Sequence, residues 1–136
     1  MSEKLSREML LYLISKVDEI TYDKLVALVF IAVKKEEIPF DYEFEHIGLT
    51  LTSRKFSKDL SWLITMGYVE TEVREVDETY NLRTHVYRVS KLGKEAANEI
   101  RMKNSEFATK IDDFMRKYGA KNEEDLENEI MELVEV

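Results

Sequence analysis

The sequence predicts a mainly helical α+β fold with one small antiparallel hairpin. Three observations predict it. Apolar residues recur at helical spacing through most of the 136 residues. One long stretch, Tyr68–Val89, alternates instead at a period of two around a polar turn. Helix-opening and helix-closing residues stand at the joints around it: Ser53 before one helix, Gly67 after it, and Ser90 at the start of the next.

The first helix is expected over Glu3–Val17, where Leu5, Met9, Tyr12, Leu13 and Val17 share a face. Asp18–Ile20 reads as a break, and Thr21 as the N-cap of a second helix over Tyr22–Glu36. That helix is apolar on more than one side (Leu25, Leu28, Val29, Phe30, Ile31), which predicts a central position. Pro39, the sole proline, stops it and pushes Ile38 to extended geometry. Phe40–Phe44 alternates aromatic with acidic residues, so it reads as a short strand or an extended loop with one packed wall. His46–Leu51 connects onward.

Thr52 or Ser53 caps a third helix over Arg54–Met66, with Phe56, Leu60, Leu63 and Ile64 inward and Gly67 at its left-handed end. Tyr68–Val76 and Leu82–Val89 are the two strands, and Asp77–Asn81 is their turn. One long helix is expected over Lys91–Tyr118. Its seam (Gly93, Ala97, Ile100, Asn104, Phe107, Ile111, Phe114, Tyr118) steps by four and three, a heptad repeat. Asn122 caps a short last helix. The order helix, hairpin, helix is the back half of a winged helix, a small fold that holds one helix against a nucleic-acid groove. The expected division is a winged-helix domain at 1–95, a continuation of the long helix at 96–120, and an acidic helix at 121–136.

Composition bounds the function. The longest apolar run, Leu25–Val33, is about half the roughly 18 residues that span a bilayer. The charged start (Met1-Ser-Glu-Lys-Leu-Ser-Arg-Glu) has no signal-peptide core, so no membrane partner and a cytoplasmic location are expected. The absence of cysteine excludes disulfides, thiolate chemistry and Cys-ligated metal. Abundant Lys and Glu with no Gln resemble an archaeal or thermophile composition. The net charge is −8, but residues 121–136 carry seven acids against one base. The first 120 residues carry 21 acids and 19 bases, so a locally basic face is compatible with an anionic chain.

The third helix is the candidate reader of a DNA major groove. Its outer face holds Arg54, Lys55, Ser57, Lys58, Ser61, Trp62 and Thr65, with Thr52 and Ser53 just ahead. Arginine can donate two bonds to a guanine edge, and hydroxyls and helix-end amides suit bases and phosphates. The same residues also suit a merely solvated helix face. Arg83, His85 and Arg88 on the hairpin could reach backbone phosphates, while Glu75, Asp77 and Glu78 would repel them. Trp62 either stacks on a base or packs against a neighbouring helix. His46 and His85 have no metal-ligand spacing, no loop is Gly-rich enough to cradle phosphate, and no nucleophile elbow occurs, so neither an enzyme nor a metal or cofactor is expected. The heptad seam must be buried, either on its own domain or on a second copy, and Ile100, Asn104, Phe107, Ile111, Phe114 and Tyr118 are the candidate homodimer contacts. The acidic terminus is either a solvated cap or dimer arm, or a competitor for the basic face and a site for a protein partner.

Two motifs resemble known regulators. Leu60-Ser-Trp-Leu-Ile-Thr-Met-Gly-Tyr-Val-Glu70 and Val86-Tyr-Arg-Val-Ser-Lys-Leu-Gly93 look like the winged-helix signature of PadR-like and MarR-like transcriptional regulators. In those families a Leu-x-x-Leu-x-x-x-Gly-hydrophobic-hydrophobic motif ends the recognition helix, and Tyr-x-hydrophobic-Thr/Ser-x-x-Gly ends the wing. Tyr87, Val89, Ser90 and Gly93 match the second motif, and the resemblance covers about residues 5–95. It implies a sequence-specific DNA-binding transcriptional regulator, and the long helix after the wing resembles PadR-like dimers. A second stretch, Lys24–Phe30 followed by Phe40–Phe44, resembles the Panacea antitoxin domain and uncharacterised archaeal relatives, which would instead imply an adaptor for proteins. That domain carries Tyr-Gly-Pro-Tyr-Ser before its third helix; here His46–Ser53 matches it at Gly48 and Ser53.

Overall fold

Apolar side chains on α1 (Ser2–Ile14) and on the nearly all-apolar α2 (Tyr22–Lys34) meet in the middle of a computed structural model that describes residues 2–47 and 50–134. Met9, Leu10, Leu13 and Ile14 of α1 and Leu25, Leu28, Val29 and Ile31 of α2 are all excluded from solvent. The chain between these helices is not a simple break. Ile20–Thr21 forms a two-residue strand, β1, and Thr21 also caps α2 by accepting the Lys24 N–H at 3.3 Å.

After α2 the segment 40–44 runs extended and unpaired. Its aromatic wall faces inward: Phe40 stacks on Tyr42 at 5.5 Å, Tyr42 meets Phe56 at 5.7 Å, and Phe44 meets Phe30 at 5.6 Å. A small hairpin follows, β2 (Glu45–Ile47) against β3 (Thr50–Thr52), where the sequence pattern offered only a connection. Gly48, one of the two matches to the antitoxin-like motif, lies outside the described residues.

Ser53 then caps α3 (Arg54–Thr65). The Tyr68 N–H donates to the Leu63 carbonyl and the Gly67 N–H to that of Ile64, with Gly67 at φ +83°, so a left-handed cap closes the helix as its glycine predicts. β4 (Val69–Asp77) and β5 (Leu82–Val89) make the expected hairpin, turning through Asn81 at φ 53°. β1 adds to the far side of β5, so the sheet order is β1-β5-β4. Ser90 caps α4 (Lys91–Lys103), and α5 (Ser105–Tyr118) and α6 (Glu123–Val134) complete the chain. The fold is α+β, with six helices, this sheet and the β2–β3 hairpin among the described residues.

One expectation needs correction. The unbroken helix over Lys91–Tyr118 is two helices, parted at Asn104, whose backbone leaves the helical region at φ −133°, ψ 57°. Asparagine favours helix ends over helix interiors, and the stripe is buried on both sides of the break. α4 and α5 both pack on α1. Gly93, Ala97, Ile100, Phe107, Ile111, Phe114 and Tyr118 are buried within this one chain, and Asn104, half-buried, is the joint. The need to cover the seam is therefore met internally. The core runs continuously from Met9 to Leu126, through all three segments that the sequence divides. No described helix is long and apolar enough to cross a membrane.

A polar clamp locks these helices. The Asp112 carboxylate on α5 accepts the Tyr12 hydroxyl at 2.7 Å and Arg101 at 2.6 Å, and lies 3.1 Å from Lys16. Burial alone would raise its pKa, but the bonds from Tyr12, Arg101 and Lys16 outweigh burial and hold it below the usual value. A depressed carboxyl adds stability that is complete above its ordinary 3.8 and is lost as pH falls below that. Asp112→Asn is expected to cost about 1–3 kcal/mol at neutral pH and to flatten the acid side of the stability profile. Urea unfolding of both proteins from neutral to strongly acid pH checks this.

Candidate nucleic-acid interface

α3 presents two faces because Phe56, Leu60 and Leu63 are fixed in the core. The opposite face exposes Arg54, Ser57, Lys58, Ser61, Trp62 and Thr65. Arg54 and Lys58 lie one turn apart, and among the described residues neither forms an ion pair.

Other expected contacts are engaged elsewhere. Ser53 is buried, and its hydroxyl accepts the Phe56 N–H at 3.3 Å, so its work is capping. Lys55 sits 2.7 Å from Asp41. Thr52 is exposed, with its hydroxyl 3.5 Å from the Glu45 carbonyl. An open cleft of about 650 Å3 at this end of α3 is lined by Asp41, Glu43 and Glu45 on one wall and by Thr52, Arg54 and Lys55 on the other. The acids were missed as part of the site, although the sequence carried the signal. Once Phe40 and Tyr42 turn inward, Asp41, Glu43 and Glu45 must turn out, beside the next helix. The segment is tied there because Tyr42 donates its hydroxyl to the buried Asp59 of α3 at 2.7 Å. Burial first, and then that carboxylate, push the Tyr42 pKa far up, so it stays a donor.

Trp62 packs. It stacks on Tyr68 at 5.9 Å, the Arg7 guanidinium lies 3.9 Å from its ring centre, and it remains 37% exposed.

The hairpin carries a second balance of charge. Glu72 accepts from Arg88 at 2.7 Å and from Arg74 at 2.7 Å, and Arg74 also donates to Glu19. Arg88 is thus paired, whereas Arg83 and His85 are exposed, with His85 stacked 6.3 Å from Tyr87. The sheet's tip exposes three apolar side chains among its acids: Val76, Tyr80 and Leu82 are 65%, 74% and 55% exposed. The acidic α6 lies on α2, anchored by Leu126, with Glu129 held by Lys35 at 2.7 Å and Glu123 by Thr21 at 2.6 Å. Neither histidine joins a group of three or more metal-binding side chains among the described residues.

No known protein family, curated protein or solved structure matches this chain.

Proposed function

We propose that this chain is a winged-helix transcriptional regulator that binds duplex DNA through the exposed face of α3. The observation that carries the reading is the unpaired couple Arg54 and Lys58 on that face, flanked by Ser57, Ser61 and Thr65. Cations at the N-terminal half of a helix whose other side is fixed in a core are the equipment for major-groove contact. Thr52, Arg83 and His85 add contacts at the edges. Lys55 and Arg88 contribute less, because a carboxylate already holds each. The facing acids repel phosphate and make binding weak, while the cations of α3 make it depend on salt.

Fluorescence anisotropy with labelled duplexes, across a salt series, tests the reading. Arg54→Ala with Lys58→Ala is expected to weaken binding about 10–100-fold in dilute buffer and to reduce the salt slope by about 2. Asp41→Asn is expected to tighten it by removing a charge that faces the groove. A double variant with wild-type affinity and slope would sink the assignment to α3.

A second reading, a protein-binding module, is favoured by the tip of the β4–β5 hairpin. Val76, Tyr80 and Leu82 stand exposed among Glu75, Asp77 and Glu78, a set that suits an apolar partner better than phosphates. Wild-type protein that ignores every duplex at low salt would leave this reading in place of the first.

A further inference from the structure

We propose that the outer edge of β4 is a docking strand for a second copy of this chain, paired antiparallel about Val73. β4 ends the sheet, and among the described residues no strand covers its outer side. The phase of its backbone follows from one bond. The Ser90 N–H donates to the Tyr68 carbonyl at 3.0 Å, and these residues stand opposite in the register that pairs Val69 with Val89. Hydrogen-bonded and non-hydrogen-bonded pairs alternate along an antiparallel ladder. Glu70, Glu72 and Arg74 therefore turn their backbone groups toward β5. Thr71, Val73 and Glu75 turn theirs outward, to an edge that lacks a partner.

A two-fold pair of such edges can be centred on any residue of the strand, and the side chains choose among the centres. Centring on Thr71 sets Glu70 opposite the partner's Glu72. Centring on Glu72, Arg74 or Glu75 sets each of those against its own copy. Like charges directly opposite are destabilising. Centring on Val73 opposes no like charges. It puts Glu72 across from the partner's Arg74 twice, by symmetry, and exposed Val73 against itself. Backbone bonds would form at the Thr71–Glu75, Val73–Val73 and Glu75–Thr71 pairs, all of which lie before the bulge between Glu75 and Asp77. This surface is separate from α3, so it does not depend on DNA binding.

The short strand makes a weak dimer, so sedimentation equilibrium on the whole chain should extend to about 1 mM. The wild type is expected to self-associate over that range. Val73→Pro is the selective test. It removes an outward N–H and no ladder bond to β5, and proline is tolerated on such an edge. It is expected to abolish the dimer while the circular dichroism and melting of the monomer persist. Thr71→Lys, which would face the partner's Glu75 twice, is expected to tighten association about tenfold, and Thr71→Glu to weaken it about as much. Thr71 is exposed, so these two variants read the interface even if proline disturbs the strand. A wild type that stays monomeric at about 1 mM, or a dimer indifferent to Val73→Pro and to the sign of the charge at residue 71, overturns the proposal. Either result leaves the DNA reading untouched.

Discussion

Phe114→Ala is expected to destabilise the protein by about 3–5 kcal/mol, by the same amount at every protein concentration. Phe114 belongs to the heptad stripe, but the stripe is spent inside the chain. The ring is buried on α5, 4.9 Å from the Tyr118 ring, in the core that also holds Met9 and Ile31. Truncation removes a large apolar side chain from the packed core and leaves a cavity that the surrounding side chains fill only in part. Urea unfolding at concentrations about 100-fold apart decides between packing and pairing. If the stripe joined two copies, wild-type stability would rise with concentration and the cost of the substitution would rise with it. An unchanged cost assigns the stripe to the fold. For the same reason a charge here, as in Phe114→Glu, is expected to unfold the chain rather than to separate dimers.

The local chemistry of this fold was legible in the sequence. Thr21, Ser53, Ser90 and Asn122 each cap the helix expected of them, with Asn122 accepting the Asp125 N–H at 2.8 Å. Gly67 takes its positive φ, and the alternation of Tyr68–Val89 becomes the β4–β5 hairpin. These are decided by neighbours in sequence, which is why pattern reading reached them. What it missed is decided by partners far along the chain. β1 is a strand only because Ile20 and Thr21 lie against Tyr87 and Val86. The heptad pattern fixes which side of a helix is buried but is silent on whether the cover is another molecule or the rest of the same one. In the structure the stripe lies in the chain's own core, with α4 and α5 packed on α1. The candidate site behaves likewise. The cations of α3 could be counted, but the pairing of Lys55 with Asp41 depends on how Tyr42 and Asp59 pin an extended segment beside the helix.

Gly93→Ala is expected to cost about 1–3 kcal/mol and to loosen the root of the hairpin more than the rest of the molecule. A Cβ at this position would lie 2.1 Å from the Tyr68 carbonyl oxygen and 3.3 Å from the Val89 Cβ. The first is backbone, so no side chain can swing away to make room. α4 would have to lift off the start of β4. That movement would strain the Ser90 hydroxyl, which lies 2.6 Å from the Gly67 carbonyl and 3.2 Å from that of Tyr68 while accepting the Gly93 N–H at 3.0 Å. The cap of α4 and the root of the hairpin are thus one joint. Gly67→Ala is the contrast. Its Cβ would meet nothing within 4 Å, so its expected cost, about 1–2 kcal/mol, comes only from holding alanine at φ +83°. Hydrogen exchange separates the two variants. Gly93→Ala should speed exchange at β4 and β5 amides beyond its effect on α1 and α2, whereas Gly67→Ala should raise exchange in proportion to its global loss of stability. The Ser-x-x-Gly spacing at the end of the hairpin then has a physical reading. The serine closes the helix end, and the glycine lets the first turn of α4 rest on the carbonyl where the hairpin begins. If Gly93→Ala proved as stable as the wild type, with its hairpin amides as protected, that close approach would not be what orients the β4–β5 hairpin.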